Sequence, residues 1–531
     1  MKTTNRVLLY CFIIVSVTAI AFSPSLNNGF TNWDDDTYVT NNPDIRGFTL
    51  HNVVKVFSSS YAASYQPLTM LTYMAEFSIF GLNPVVFHST NLIVHIVNSL
   101  LVFLLLYLLS GNFFAGAVAA LLFAVHPLRV ESVAWVAERK DVLSMLFFLL
   151  SLFAYNSFLK KGLQKYYWLC MAAFVFSLLT KPIAVSQPIV LFLIDYLHDK
   201  KQNKKLLLQK TPFFVIAAVF VVITLVTQHS SGAINTISAL PFFQQSCIPF
   251  YGIVFYIVKT IFPLHLSALY PFPVNPDKGL IIQFYLSFMV VLGIGIAVFY
   301  SRKFSKKVVF GALFFFVTIL PLLQIVSIGN IIVAERYTYV PILGMCFIVA
   351  ESLIYLQKKA FWKNGFVKTT VTAGFIVIIF IYGYITYQRC GIWKDSLSLW
   401  NDVLERHQCW LAYYNRGVAW NIKGDPVNAI TDYTAAIALR PNYIDAYNNR
   451  GNAYDDIGDH DRAIEDYNQL IILKPNFAKA YFNRGLAYFA KGEIEKAVVD
   501  MEEALSLDPD YGNPANYHSR VINEIMKRRH S

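Results

Sequence analysis

Two patterns of apolar residues divide the chain. From residue 1 to about 390, apolar stretches recur that are about as long as the roughly 20 residues a helix needs to cross a bilayer. From about 393 onwards, apolar positions recur at helical spacing among many polar residues, which is typical of a water-exposed helical domain. Membrane-spanning helices are predicted near 7–23, 86–110, 112–126, 142–159, 166–180, 183–197, 212–228, 279–300, 308–326, 337–356 and 369–387.

The composition agrees with a protein embedded in a lipid bilayer. Of the 531 residues, 56% are hydrophobic and 15% are charged, whereas a soluble domain carries about 25% charged residues. Six scattered cysteines without paired spacing exclude a disulfide-stapled secreted protein, and 44 Phe and 32 Tyr exclude a disordered chain. The net charge of +11 lies mostly in short loops between apolar stretches, which indicates cytoplasmic loops and not nucleic-acid binding.

Clusters of lysine and arginine predict which loops face the cytoplasm. Three apolar stretches lie between two of these clusters, where an even number of crossings is required. We assign the stretch 246–262, which Pro249 interrupts, to a re-entrant or interfacial position. Eleven crossings then remain, with the N-terminus inside and both the loop 24–85 and the C-terminal domain outside. The clusters placed in the cytoplasm span 160–165, 200–210, 302–307 and 358–368.

An alternative for the first apolar segment is a cleaved signal peptide. A basic start precedes its apolar core, and Ala19 and Ala21 have the spacing of a cleavage site. The membrane-spanning interpretation is preferred because it leaves every basic cluster on one side of the membrane.

The C-terminal part is a repeat array with a period of 34 residues. This period, with small residues at fixed positions and a closing proline, is the tetratricopeptide pattern of paired helices. Such arrays bind peptides or proteins, so this part predicts a protein partner. The predicted divisions are a membrane domain over 1–390, a linker and packing helix over 391–411, three repeats over 412–513, and a cap with a basic tail over 514–531. The residues that keep the period are Gly417, Gly451 and Gly485, then Ala429, Ala463 and Ala497, then Pro441, Pro475 and Pro509.

Three adjacent carboxylates lie about ten residues beyond the first predicted span. Asp34, Asp35 and Asp36 repel one another, and this repulsion can raise the pKa of one of them towards a value useful for proton abstraction. The alternatives are a solvated acidic turn or a calcium-binding loop.

A second group of charged residues follows His126. If the segment is helical, Glu131 and Glu138 share one face. Arg139 and Lys140 are predicted on the outer side of the membrane, where cations are disfavoured. Lys181, between two later spans, is predicted on the same side. Such cations indicate an anionic ligand such as a phosphate headgroup. The alternative is a salt-bridged helix at the membrane interface.

A third candidate is the segment 334–341. Arg336 lies at the outer mouth of a span, and its planar guanidinium suits phosphate oxygens. Glu335 and Tyr337 flank it. The alternative is an aromatic belt with an arginine that reaches towards water. The sequence contains no Walker loop, zinc-protease motif or dinucleotide fingerprint, so ATP-driven transport and redox chemistry lose support.

In order along the chain, these motifs resemble those of the transmembrane and tetratricopeptide-containing protein O-mannosyltransferases, and more closely their bacterial relatives, within the GT-C glycosyltransferases. Two departures are visible. Residues 138–141 read Glu-Arg-Lys-Asp where eukaryotic members are closer to Gly-Arg-Ala-Asp, and this chain has fewer repeats. The motifs that carry the resemblance are Asn32–Asp36 with Asn41–Pro43, His126–Ala134, Lys181–Pro182, Leu191–Tyr196, Glu335–Tyr337, and Trp393 with Asp395, Ser396 and Trp400.

The resemblance implies an all-α, GT-C-like membrane domain followed by an α-solenoid. It also implies transfer of a sugar, mannose or a similar monosaccharide, from a polyprenyl-phosphate donor outside the cytoplasm. The acceptor would be a Ser or Thr hydroxyl of a protein, with Asp34 or Asp35 as the base. Arg139, Lys140, Lys181 and Arg336 would bind the donor phosphate. Asp36, His126, Glu131, Glu138, Asp141, Glu335 and Tyr337 would position the sugar or the acceptor.

Several properties stay open at this stage. Three aspartates could bind a divalent metal, and no other cofactor is implied. The absence of Asn-x-Ser/Thr sites favours a bacterial inner membrane over the endoplasmic reticulum. The rival functions are a non-catalytic membrane scaffold that recruits envelope proteins through its repeats, and a glycosyltransferase that acts on a lipid or a glycan.

Overall fold

A computed structural model describes residues 3–200, 204–232, 241–272, 280–303, 305–325, 331–513 and 517–528. The chain divides into two compact units, Met1–Asp395 and Ser396–Ser531. Both units are helical, as the sequence predicts. Within the tail predicted as a cap, residues 514–516 and 529–531 lie outside the described residues.

The first unit is a helical bundle with one two-residue β-contact. Strand β1 (Tyr270–Pro271) pairs antiparallel with strand β2 (Ile331–Val333). The helices are α1 (Thr3–Phe22), α2 (Leu50–Ser58), α3 (Pro67–Phe80), α4 (Pro84–Ser110), α5 (Phe113–Ala124), α6 (Val130–Ala134), α7 (Arg139–Lys161), α8 (Gln164–Thr180), α9 (Gln187–Leu197), α10 (Lys204–Ser230), α11 (Phe242–Ile261), α12 (Ile282–Ser301), α13 (Lys306–Ile319), α14 (Ile342–Gln357) and α15 (Gly365–Cys390).

Short helical turns connect these helices around the candidate site. A π-turn spans Asp36–Thr40, and 3-10 turns include Pro127–Arg129, Val136–Glu138 and Glu335–Thr338. Further 3-10 turns span Ser23–Asn27, Pro43–Ile45, Pro182–Ser186, Leu320–Leu322, Ala360–Lys363 and Gly391–Trp393.

Six helices within the described residues are long and apolar enough to cross a membrane. A seventh is added if α5 and the segment Pro127–Ala134, which meet at a bend of 56°, count as one broken span. The segments Pro182–Leu197 and Ile342–Gln357 are apolar but shorter. The predicted total of eleven crossings, and the re-entrant position of 246–262, stay predictions. That last stretch is helical up to Ile261, the end of α11.

Small residues let two helices of the bundle approach closely. A Cβ atom on Gly344 of α14 would lie 2.2 Å from the Gly311 oxygen of α13. A Cβ on Gly311 would likewise lie 2.7 Å from the Gly344 oxygen. Such close backbone contact is the usual reason for glycine where membrane helices pack together.

The second unit is an array of antiparallel helix pairs. Each pair is locked by a buried aspartate that receives two hydrogen bonds from an arginine 16 residues earlier, as in Arg450 and Asp466, at 2.8 and 2.6 Å. The repeat glycines admit a neighbouring side chain, since a Cβ on Gly451 would lie 2.7 Å from the Tyr467 ring. The helices are α16 (Ser396–Arg406), α17 (Trp410–Ile422), α18 (Pro426–Leu439), α19 (Ile444–Asp456), α20 (His460–Leu473), α21 (Ala478–Ala490), α22 (Ile494–Leu507) and α23 (Tyr517–Arg528), with a 3-10 turn at Pro509–Gly512.

Candidate active site

The three adjacent aspartates have different surroundings. Asp35 is buried, and both of its carboxylate oxygens are occupied. One oxygen accepts hydrogen bonds from the Thr31 amide at 2.8 Å and the Thr31 hydroxyl at 3.1 Å, and the other accepts from the Ala137 amide at 2.9 Å. Burial raises the pKa of Asp35 to about 7, against these hydrogen bonds. Asp35 therefore ties the loop after α1 to the segment before α7.

Of the three aspartates, Asp34 is the one whose carboxylate has no partner among the described residues. It is partly exposed, and among the described residues its carboxylate makes no hydrogen bond and no ion pair. Burial raises its pKa; the cations of Lys140 and Arg336 oppose that shift, and Glu138 and Asp36 add to it. A carboxylate with a raised pKa and a free oxygen has the properties of a general base.

Asp36 is the first residue of the π-turn. It is partly exposed, and its carboxylate accepts a hydrogen bond from the Thr37 amide at 2.8 Å. This contact lies within the turn itself. Its surroundings match the acidic-turn alternative better than a direct role in catalysis.

The segment after His126 is not one helix, so the predicted helical face for Glu131 and Glu138 is wrong. Helix α6 ends at Ala134, and Trp135 has an extended backbone before the next turn. The two carboxylates nevertheless meet at the same residue, Arg336. The fold, and not helical periodicity, brings them together.

Arg336 links two carboxylates. Its amide donates a hydrogen bond to Glu131 Oε2 at 2.8 Å, its Nη1 pairs with Glu131 Oε1, and its Nε lies 3.3 Å from Glu138 Oε1. Burial lowers the pKa of Arg336, but the two carboxylates outweigh this effect and raise it well above its usual value. Arg336 is therefore fixed and charged.

Two lysines complete the group. Glu138 also lies 3.1 Å from Lys140 Nζ and 3.1 Å from Lys181 Nζ, and Lys181 Nζ lies 2.6 Å from Asp141 Oδ1. Burial lowers the pKa of Lys181, but Asp141 and Glu138 outweigh it and raise the pKa overall. We call this group the charge cluster; its members are Glu131, Glu138, Asp141, Lys140, Lys181 and Arg336.

Indole rings form one wall of the charge cluster. Trp33 and Trp135 stack with ring centres 4.9 Å apart, and Trp135 and Trp393 stack at 5.1 Å. The Arg336 guanidinium and the Lys140 ammonium lie 5.5 and 5.9 Å from the Trp135 ring centre. The wall joins residues from three distant parts of the sequence, and the sequence did not single out Trp33 or Trp393 for it.

Arg139 lies away from the charge cluster. Its guanidinium is fully buried and is held by Glu76 at 2.6 Å, the Asn91 side chain at 2.9 Å and the Phe87 carbonyl at 2.8 Å. All three partners belong to α3 and α4. These contacts give Arg139 a role in packing α7 against those helices, and we leave it out of the proposed phosphate site.

His126 and Glu335 also contact other parts of the fold. His126 Nδ1 accepts from the Leu128 amide at 3.2 Å, and its Nε2 lies 2.9 Å from the Thr260 carbonyl. Glu335 accepts from the Ser267 amide at 2.7 Å and the Tyr270 hydroxyl at 2.9 Å. Both side chains join segments that are distant in the sequence.

Tyr337 stays beside the cluster. The Arg336 guanidinium lies 5.2 Å from its ring centre. Tyr337 also packs against the apolar residues around Tyr256 and Phe284. Its ring therefore borders both the charge cluster and this apolar packing.

A buried arginine that is not among the predicted phosphate-binding residues lies behind the cluster. Arg129 is fully buried, and its Nη2 donates a hydrogen bond to the Thr338 hydroxyl. Its guanidinium carbon lies 5.0 and 5.7 Å from the ring centres of Tyr339 and Phe123. Its Nε and Nη1 have no hydrogen-bond partner among the described residues. A charged residue inside an apolar stretch is the signal that could have found it.

The structure supplies no support for a metal at the aspartates. Within the described residues, no group of three His, Cys, Asp or Glu side chains has a geometry that could hold a metal ion. Both oxygens of Asp35 are already hydrogen-bonded, so Asp35 offers no open ligand to a hard cation.

Comparisons with known proteins place both parts of the chain. Residues 68–228 match the family described as dolichyl-phosphate-mannose-protein mannosyltransferase. Residues 422–458 and 456–492 match a family of tetratricopeptide repeats, and residues 478–511 match a further one.

Similar proteins include several that are named protein O-mannosyl-transferases. Human TMTC1 is 23% identical over 82% of this chain and 55% of its own length, and human TMTC3 is 24% identical over 80% and 50%. Human TMTC4 is 33% identical over 27% of this chain and 22% of its own length. The chain spans about half the length of the relatives that it matches along most of its sequence.

Solved structures match the repeat part. The first tetratricopeptide domain of RPAP3 bound to an HSP90 peptide is 28% identical, covering 23% of this chain and 95% of that chain with a TM-score of 0.22. MamA is 36% identical, covering 24% of this chain and 74% of that chain with a TM-score of 0.22. The chain is thus similar to protein O-mannosyl-transferases in its membrane part, and its C-terminal part matches tetratricopeptide repeats.

Proposed function

We propose that this protein is a membrane glycosyltransferase that moves a sugar from a polyprenyl-phosphate donor to a Ser or Thr hydroxyl of a protein. The similarity to proteins named O-mannosyl-transferases supports a sugar-transfer reaction and makes mannose the first sugar to test. The reaction would take place outside the cytoplasm, where the distribution of basic residues predicts the loop 24–85 to lie. The membrane would be a bacterial inner membrane.

The observation that carries this proposal is the position of Asp34. Its carboxylate is unoccupied among the described residues and lies within the electrostatic reach of Lys140, Glu138 and Arg336. A base and a group of fixed cations therefore share one site, which is what hydroxyl attack on a sugar phosphate requires.

The proposed reaction is a single displacement with inversion. Asp34 takes the proton of the acceptor hydroxyl while the hydroxyl oxygen bonds to the anomeric carbon. The bond from that carbon to the phosphate oxygen breaks, and its electron pair leaves with the polyprenyl phosphate. This leaving group needs charge stabilisation and no proton.

Fixed cations would stabilise the leaving phosphate. Arg336, Lys181 and Lys140 are held in place by Glu131, Glu138 and Asp141, so they need little reorganisation when charge develops on the phosphate. Arg336 is the best suited of the three because its planar guanidinium matches phosphate oxygens and stands beside Trp135 and Tyr337. A bound phosphate would replace part of the ion pair that Arg336 makes with Glu131 or Glu138.

The repeat array would bring the acceptor to the membrane domain. Tetratricopeptide arrays bind peptides or proteins, and tethering raises the local concentration of a weakly bound acceptor. Polar side chains of neighbouring repeats already contact one another along one face, as in Asn483 with Asn448 and Asn452, both at 3.1 Å. Such amides suit an extended peptide backbone.

The decisive experiment measures transfer of radiolabelled mannose from polyprenyl-phosphate mannose to protein in membranes that contain the full chain. Asp34→Asn should lower the initial rate by about 100-fold or more, because general-base catalysis contributes about 10²- to 10⁴-fold. Asp36→Asn is the matched control and should keep most of the rate, since it changes a nearby carboxylate of the same charge whose hydrogen bond stays within its own turn.

Other outcomes separate the rival functions. Label found only in lipid or glycan would keep the enzyme class and reject the protein acceptor. Equal rates for wild type and Asp34→Asn would reject Asp34 as the base. No label from mannose or from other polyprenyl-phosphate sugars would favour a membrane scaffold that recruits envelope proteins.

A further inference from the structure

An open groove lies where α8 and α10 begin. Both helices start at this end of the bundle, and the cavity between them has a volume of about 730 Å³. Helix α8 has 17 residues, and Lys181 of the charge cluster follows its other end, so the groove lies about 25 Å from the candidate active site. We call it the α8–α10 groove; its lining residues are Gln164, Tyr167, Trp168, Lys204, Leu208 and Gln209.

The groove combines a cation with apolar surface. Trp168 is 64% exposed and Leu208 is 60% exposed. Lys204 is exposed and makes no ion pair with a residue that the structure describes. Because Leu206–Ser230 is apolar enough to cross a membrane, Lys204 and Trp168 stand at the end of a candidate span, where bilayer headgroups lie.

Buried polar contacts hold in place the first turns of α10, which line the groove. Lys210 and Asp195 are both buried and form an ion pair, and the Tyr155 hydroxyl donates to Asp195 at 2.7 Å. The Tyr167 hydroxyl donates to the Gln209 carbonyl at 3.0 Å. These contacts fasten the first turns of α10 to α7, α8 and α9, so the groove is formed before any ligand arrives.

The charge around the groove favours an anion. Lys160, Lys161 and Lys165 flank the start of α8 in the sequence, and the described residues that line the groove include no carboxylate. Exposed tryptophan and leucine beside lysine suit a molecule with an anionic head and apolar tails.

We propose that the α8–α10 groove binds an anionic phospholipid, with its headgroup phosphate at Lys204 and the first part of its acyl chains against Trp168 and Leu208. The distribution of basic residues predicts that this end of the bundle faces the cytoplasm. The site would therefore hold a lipid of the inner leaflet, away from the donor site. This proposal does not depend on the sugar-transfer reaction.

The test compares how two lipids change the thermal unfolding midpoint of the full chain in detergent. Dioleoyl-phosphatidylglycerol should raise the midpoint more than dioleoyl-phosphatidylcholine at equal concentration, and high salt should reduce the difference. Lys204→Gln and Trp168→Ala should each lose at least half of the phosphatidylglycerol-specific increase. Native mass spectrometry of the same samples should show correspondingly less bound phosphatidylglycerol.

Lys303→Gln is the matched control, because Lys303 is an exposed lysine of another predicted cytoplasmic cluster and does not line the groove. It should keep the full response. An equal response of wild type and Lys204→Gln, or no preference of wild type for the anionic lipid, would overturn the proposal. A loss in Lys303→Gln as large as in Lys204→Gln would also overturn it, since binding would then follow net charge alone.

Discussion

At the scale of single residues, neighbouring side chains of one type have separate roles. The Asp35 carboxylate accepts three hydrogen bonds that hold the loop in place. Asp34, one residue earlier, has a carboxylate that accepts none among the described residues. The same contrast holds for Arg139 and Lys140, of which only Lys140 joins the charge cluster. The role of each residue at this site thus depends on the direction in which its side chain points.

The proposed base implies a pH dependence of the transfer rate. Burial raises the pKa of Asp34, and a base works only when it has lost its proton. The rate should therefore rise about tenfold per pH unit below that pKa and level off above it, with the inflection above the usual aspartate value of about 3.9. Initial rates between pH 4 and 8 would measure this. The same inflection in Asp34→Asn would contradict the assignment.

Two fully buried arginines should respond in opposite ways to replacement by methionine. Arg139→Met leaves the partly buried Glu76 without its fully buried cation, which should cost about 3 kcal/mol of stability. Arg129 has no ion pair among the described residues, so Arg129→Met removes an uncompensated charge and should leave the stability unchanged or higher. Thermal unfolding of the purified protein compares them. Equal, large losses would show that Arg129 has an anionic partner.

At the scale of elements, interruptions of regular structure build the site. The segment from Val125 to Glu138 alternates short helical turns with extended residues, and this alternation directs Glu131 and Glu138 towards Arg336. An unbroken helix could present only the side chains of one face to Arg336. Backbone that leaves the helix within a membrane protein is tolerated where protein surrounds it, and residues 126–141 are buried throughout.

The close approach of α13 and α14 gives a prediction at the same scale. In Gly344→Ala the new Cβ would meet the Gly311 oxygen at 2.2 Å, so the helices must separate. Overpacking of this kind costs about 1–3 kcal/mol, and backbone contact places this case at the upper end. Gly374→Ala on α15 is the control, because nothing lies within 4 Å of its Cβ position. Thermal unfolding should show a lower midpoint for Gly344→Ala alone.

At the scale of the whole molecule, the chain consists of two units with separate cores. The second unit begins at Ser396. Helix α16 belongs to this unit and buries Leu399, Trp400 and Val403. It is therefore more than a linker, because it covers the first repeat as a packing helix.

This division predicts that residues 396–531 fold without the membrane unit. The fragment should give a helical circular-dichroism spectrum and a cooperative thermal transition, since its core lies within the repeats. A fragment that starts at Trp410 lacks α16 and should unfold at a lower temperature, because it exposes the first repeat. Equal midpoints for the two fragments would show that α16 adds nothing to the array.

Much of the architecture follows from local pattern. Apolar stretches of membrane length require helices, and the 34-residue period requires stacked helix pairs, because each pair can bury its apolar face only against the next. The carboxylates and cations near 34–36, 126–141, 181 and 336 were also visible as charges beside apolar stretches. A charged side chain beside a membrane span costs free energy, so these residues are candidates for function in any fold.

The tertiary structure alone decided which of these charges meet. Arg336 reaches Glu131 across 205 positions of sequence, and Lys181 reaches Glu138 across 43. No short-range period encodes such pairs, because the bends between helices set them. The same bends direct Arg139 towards Glu76 and leave Arg129 unpaired among the described residues. The sequence by itself thus determined the kinds of residue available for chemistry, and the packing of the helices determined which of them share a site.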